Sequence, residues 1–147
     1  MKKIAIGSDH GGFELKKYVI EHLEKNGYEV KDFGTYSSDS CNYPDYAKLV
    51  GEAVAAGEFE RGILVCGTGI GISIAANKIK GIRAACVSDT FSAKMCLAHN
   101  DANILCFGER VVGKGLALEL VDAYLSTPFE GGRHQTRVDL ITKLDER

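Results

Sequence analysis

Five short apolar runs alternate along this chain with longer stretches whose apolar residues recur at helical spacing. The runs predict strands at 4–8, 28–33, 62–66, 83–87 and 103–107. The first helical pattern covers 13–25, with Leu15, Val19 and Leu23 on one side, and stops near Gly27. A second covers 45–56 and turns Tyr46, Val50, Ala53 and Val54 inward. A third follows Gly71 and is apolar nearly all round (Ile72, Ile74, Ala75, Ala76), which predicts deep packing. The fourth starts near Asp89, a helix-capping residue type, and the fifth covers 113–125 before Pro128.

Strict strand–helix alternation predicts an α/β fold, a three-layer, doubly wound, Rossmann-like sheet of five parallel strands. Five strands suggest the flavodoxin-like order 2-1-3-4-5. The stretch 131–147 adds a polar helix with a thin apolar stripe, Val138, Ile141 and Leu144. With no strand after it, this C-terminal arm is expected to pack on a partner subunit. No repeat or linker divides residues 1–147, so one domain is expected.

A net charge of −2 excludes whole-molecule attraction to nucleic acid or a membrane surface. The apolar segment 4–6 is too short for a signal-peptide core, and no later run is long enough to span a bilayer. The five cysteines (41, 66, 86, 96 and 106) form no CxxC pair and no zinc-finger spacing. A reduced, cytoplasmic protein without disulfide or zinc is expected, with Cys86, Cys96 and Cys106 as packed core residues.

The chemistry gathers at the third strand. Residues 63–73 read Ile-Leu-Val-Cys-Gly-Thr-Gly-Ile-Gly-Ile-Ser. An apolar strand ends at Cys66, and glycines at 67, 69 and 71 open a helix, so backbone N–H groups can approach an anion. In doubly wound sheets ligands bind where the strand order reverses, here between the first and third strands. That crevice joins Asp9 and His10 to Cys66 and Thr68. Dinucleotide binding is disfavoured because the loop is GxGxG, with Ile72 where GxGxxG needs glycine, and no Walker GK[ST] follows. Arg133 and Arg137, one helical turn apart, suit either a phosphate or simple solubility.

Five ordered stretches then carry a resemblance. They are 8–13 (Ser-Asp-His-Gly-Gly-Phe), 66–73, 99–103 (His-Asn-Asp-Ala-Asn), 107–111 (Phe-Gly-Glu-Arg-Val) and 130–137 (Glu-Gly-Gly-Arg-His-Gln-Thr-Arg). Together they resemble the type B ribose-5-phosphate isomerase family, which also holds allose-6-phosphate and galactose-6-phosphate isomerases. The resemblance implies an isomerase of sugar phosphates that needs neither metal nor organic cofactor. It also implies a homodimer or dimer of dimers with a shared active site, and ribose 5-phosphate and ribulose 5-phosphate as the substrate pair. A hexose phosphate is the nearest alternative, and a non-catalytic phosphosugar-binding module a more remote one.

By the same resemblance Cys66 is the base that moves a proton between C1 and C2 through an enediolate. Some relatives use a glutamate on the following helix, but Ile74, Ala75 and Ala76 stand there. Gly67, Thr68, Gly69, Ile70 and Gly71 would bind the enediolate oxygen. Asp9 would shuttle a proton between substrate oxygens or cap the first helix; His10 would touch the phosphate or be an ordinary loop histidine, and Tyr43 would form part of the pocket wall. His99 is implied in ring opening, Asn100 in holding a substrate oxygen, and Arg110, Arg133 and Arg137 in binding phosphate. His99 falls at the amino edge of the sheet, so as a catalytic group it is expected to serve the partner's Cys66. His22, on the first helix, is expected to be exposed and inert.

Overall fold

The computed structural model describes residues 2–146. The strands are β1 (Lys3–Ser8), β2 (Glu29–Asp32), β3 (Arg61–Cys66), β4 (Ala84–Cys86) and β5 (Ile104–Gly108). The helices are α1 (Phe13–Lys25), α2 (Tyr43–Ala55), α3 (Ile70–Ala76), α4 (Thr90–Ala98), α5 (Lys114–Leu125) and α6 (Arg133–Lys143). All four strand pairings are parallel. The expected α/β architecture is therefore present.

The strand order is β2-β1-β3-β5-β4, not 2-1-3-4-5. The chemistry of the last two strands explains the exchange. β5 is Ile-Leu-Cys-Phe-Gly and is buried throughout, whereas β4 is only Ala-Ala-Cys and partly exposed. The larger apolar strand takes the inner place, where both faces are covered, and the short one the edge. The reversal between β1 and β3 survives, but the neighbour of β3 on its other side changes.

Alternation along the strands splits the core in two. Ile4, Ile6, Ile63, Val65 and Phe107 pack with Leu15 and Val19 of α1 and with residues of α4 and α5. Ala5, Leu64, Cys66, Ile104 and Cys106 pack with Val50 of α2 and Ile72 of α3. α3 departs from expectation: Ile72, Ser73 and Ala76 are buried, but Ile70 and Ile74 are more than half exposed. The inward residues of α2 match except Tyr46, which is half-buried beside buried Ala47. Asp89 caps α4 as expected, accepting the Ser92 N–H at 2.7 Å. His22 is part-buried rather than exposed; its Nε2 lies 2.7 Å from Asp122 Oδ1 and ties α1 to α5.

α6 lies against its own chain. Val138 and His134 are buried, the Glu130 N–H donates to Ala98 O, and Asp145 accepts the Gly81 N–H. Ile141 and Leu144, the rest of the expected stripe, stay exposed with Leu140.

Among the described residues, one charged side chain is fully buried. Lys16 Nζ on α1 sits 2.7 Å from Asp32 Oδ1 and also donates to the Thr35 carbonyl. Asp32 in turn accepts the Gly34 N–H at 2.9 Å, so this pair holds the segment after β2 against β1. Removing one member of a buried pair strands the other. Lys16→Ala is expected to cost about 2–4 kcal/mol, discounted for the partly exposed Asp32, measured as a lower urea midpoint with an unchanged m-value.

Candidate active site

Cys66 ends β3, with its side chain on the α2–α3 side and 5% exposed. Its Sγ accepts the Gly69 N–H at 3.1 Å. A thiolate accepts the same bond more strongly, because the acceptor is then charged. Gly69 has φ +82°, and a Cβ there would stand 2.7 Å from the Phe107 carbonyl carbon. Glycine is required for both reasons. The next residues begin α3, whose first-turn amides have no acceptor inside the helix.

The tip of β1 abuts this loop. The Asp9 N–H donates to Val65 O at 3.3 Å, and Asp9 Oδ1 accepts the Gly11 N–H at 2.9 Å. Asp9 therefore caps the short 3-10 turn 10–12 and is nearly buried beside the thiol loop. A Cβ on Gly11 would be 3.2 Å from Gly67 N, so the two loops touch. His10 Nδ1 accepts the Cys41 N–H at 3.2 Å, which leaves the neutral ring's proton on Nε2. His10 is thus set as a donor. Thr68 Oγ1 accepts the Ile70 N–H at 3.2 Å, leaving its hydroxyl proton available. Tyr43 stands over α3, its hydroxyl 2.9 Å from where a Gly71 Cβ would lie.

The corrected strand order brings Arg110 to this site. With β5 beside β3, the Glu109 N–H donates to Cys66 O at 2.9 Å and the Arg110 N–H to Gly67 O at 3.0 Å. Arg110 Nη1 then stands 3.4 Å from the position of a Gly67 Cβ. Glu109, unmarked in the sequence reading, accepts the Leu15 N–H at 2.7 Å and anchors α1 to the same corner. Cys86 is another correction: it is exposed at the end of β4, with Sγ 3.7 Å from Thr68 O. Desolvation, then the neighbouring Cys66, pushes its thiol pKa up. Cys96 and Cys106 are core residues as expected, the former pushed up to about 11 by burial.

A second cluster forms at the opposite end of the sheet. His99 caps the C-terminus of α4, and its ring stacks on His134 of α6 at 4.2 Å between centroids. Glu130 reaches both, 3.6 Å from His99 Nε2 and 3.5 Å from His134 Nε2. Desolvation, then the His99 and Arg133 charges, pulls the His134 pKa down. Arg133 and Arg137 lie on successive turns of α6, both exposed. Asn100 lines a cavity of about 270 Å³ with Asn77, Arg83 and Ile141. This cluster precedes β5, whereas Cys66 pairs with Gly108 at the end of β5, so roughly 13 Å of strand separates them. In one chain, then, Asp9, His10, Tyr43, Thr68 and Arg110 gather at the Cys66 end of the sheet, while His99, Asn100, Arg133 and Arg137 do not.

Residues 4–141 match the family model described as Ribose/Galactose Isomerase. The chain belongs to this family. It is 56% identical over 147 residues to ribose-5-phosphate isomerase B of Escherichia coli, covering 100% of this chain and 99% of that one. The ribose-5-phosphate isomerase B structure from Clostridium thermocellum superimposes with TM-score 0.97 at 56% identity, covering 98% of this chain and 97% of that chain. The Mycoplasma genitalium enzyme, solved with bound ribulose-5-phosphate, gives TM-score 0.95 at 41% identity over 99% of this chain and 97% of that chain.

For an isomerase of this family the Gly69 cradle is a sharp test. Gly69→Ala is expected to cost about 1–3 kcal/mol through left-handed strain and to lower isomerase turnover at least tenfold. Urea titration and steady-state kinetics on one preparation measure both. Iodoacetamide at mildly alkaline pH should label Cys41 and Cys86 in the folded protein and spare Cys96 and Cys106, read by peptide mass spectrometry.

Proposed function

We propose that this isomerase interconverts ribose 5-phosphate and ribulose 5-phosphate, with Cys66 as the base. The observation that carries the reading is the Gly69 N–H bonded to Cys66 Sγ at the mouth of the β1–β3 crevice. A thiol beside an oriented main-chain donor is suited to act as thiolate and then as thiol, because the N–H stabilises the charged sulfur. Cys66 takes the proton from C2 of the open-chain aldose, and the electron pair moves to the C1 oxygen as the enediolate forms. The same proton returns to C1, giving the ketose. Asp9 accepts the proton of one substrate hydroxyl and passes it to the other oxygen. The loop amides, Thr68 and the Nε2–H of His10 meet the charge that develops on oxygen.

The rest of the machinery comes from a second copy of the chain. His99 as ring-opening acid or base, with Asn100, and Arg133 and Arg137 as the phosphate grip, lie at the wrong end of their own sheet. A two-fold dimer brings the amino edge of one subunit to the carboxyl edge of the other. Exposed Ile70, Ile74, Phe91 and Val111 supply apolar surface for such packing. A catalytic thiol also requires a reducing compartment, which favours the cytoplasm.

Cys66→Ala is expected to reduce turnover of ribose 5-phosphate by about 10²–10⁴-fold, assayed as ketose formation. Unchanged turnover would remove the thiol from the mechanism. Arg137→Ala should raise KM at least tenfold with a smaller change in kcat, because phosphate binding is remote from the reacting carbons. Subunit exchange between Cys66→Ala and His99→Asn chains should restore about a quarter of wild-type activity, since half the dimers are hybrids with one intact site of two. Exchange verified by mass spectrometry without recovery would place His99 outside a shared site.

A further inference from the structure

His134 poses a problem that the isomerase reading does not solve. Its side chain is buried, yet Nε2 has no hydrogen-bond partner. It faces the Glu130 carboxylate at 3.5 Å, and His99 Nε2 faces the other oxygen of that carboxylate at 3.6 Å. Both separations exceed a charge-assisted hydrogen bond of about 2.7–2.9 Å. They come within a few tenths of an ångström of another distance. Ligands bound at about 2.0–2.1 Å around a tetrahedral cation stand roughly 3.3 Å apart. The three donor atoms all lie within 4.8 Å of one another.

We propose that His99, His134 and Glu130 form a binding site for a divalent cation of the zinc class, and that its occupation inhibits the enzyme. Two imidazoles and one carboxylate favour Zn²⁺, Cu²⁺ or Ni²⁺ over Mg²⁺ and Ca²⁺, which need more oxygen ligands. The rings are stacked 7° from parallel, so their lone pairs run nearly side by side, and both rings must rotate well out of the stack to meet one ion. Glu130 and His99 are partly exposed, so the ion enters from solvent and keeps a water in its open position. Arg133 and Arg137 oppose the cation electrostatically, and Glu130 offsets part of that charge. Inhibition follows because the His99 nitrogen that would exchange a proton with the sugar is occupied by metal. That half of the inference rests on the catalytic reading of His99, whereas the binding half does not.

The test begins with the Cys66→Ala protein, in which the active-site thiol cannot bind metal. Isothermal titration with Zn²⁺ should find one cation per chain, and Co²⁺ should develop visible bands without thiolate charge transfer. Glu130→Ala and His134→Gln, each added to this background, should weaken binding at least tenfold. In the protein with Cys66 intact, Zn²⁺ should inhibit reversibly, and a chelator should restore turnover. Glu130→Ala should need at least tenfold more Zn²⁺ for half-inhibition of its own turnover. Zinc binding unaffected by both substitutions, or a thiolate signature with Co²⁺, overturns the site. Binding at these three residues without inhibition keeps the site and overturns both its inhibitory role and the catalytic reading of His99.

Discussion

The end of β3 is held from both sides, and the chemistry proposed at Cys66 depends on that restraint. Asp9 N–H reaches back to Val65 O from β1, while Glu109 and Arg110 N–H groups reach Cys66 O and Gly67 O from β5. The Gly69 N–H closes onto the sulfur itself. Four main-chain donors thus fix the strand end and the thiol position without any flexible side chain in the linkage. Rigid placement of this kind is what proton transfer from carbon requires, because small errors of distance lose most of the effective concentration. The glycines follow from it. The Phe107 backbone packs so close to Gly69 that a side chain there would force the loop off the sheet.

The alternation of strands and helices was legible because each strand is a compact apolar run and each helix has a clear stripe. The Cys66 crevice was legible too, since β1 and β3 are neighbours in either strand order. The order of the last two strands was misread. Its signal lay in composition: Ala-Ala-Cys cannot cover as much apolar surface as Ile-Leu-Cys-Phe and so belongs at an edge. That exchange is what assigns Arg110 to the thiol of its own chain. α3 misled for a related reason. Its apolar residues run round the helix, yet only the side bearing Ile72 and Ala76 meets the core, and Ile70 and Ile74 face outward. His134 and Glu130 were invisible as a pair, because their meeting with His99 depends on how α6 folds back over α4.

The division of the candidate machinery between two ends of one sheet has a structural cause. A parallel sheet gathers its loops into two sets, one at each end, and helix termini of opposite polarity gather with them. The carboxyl end offers first-turn amides, which suit a developing oxyanion. The amino end receives helix C-termini such as that of α4, and α6 adds arginines there. No single chain of this topology can place both sets around one five-carbon sugar. The amino edge of a second copy set against this carboxyl edge, as proposed above, would join the two sets without lengthening either chain.

Five cysteines in one chain raise the question of why Cys66 is the one proposed as base. Cys96 and Cys106 lie inside the core rather than at the β1–β3 crevice, and burial there pushes both thiols up. Cys86 sits near enough to feel Cys66, and desolvation followed by that charge pushes its own thiol pKa up. Nor does oxidation readily join the two. β5 lies between β3 and β4, so their backbones stand two ladder spacings apart, about 10 Å. A disulfide requires Cα atoms within about 7 Å. The inserted strand that brings Arg110 to the thiol also keeps the neighbouring sulfur from capturing it.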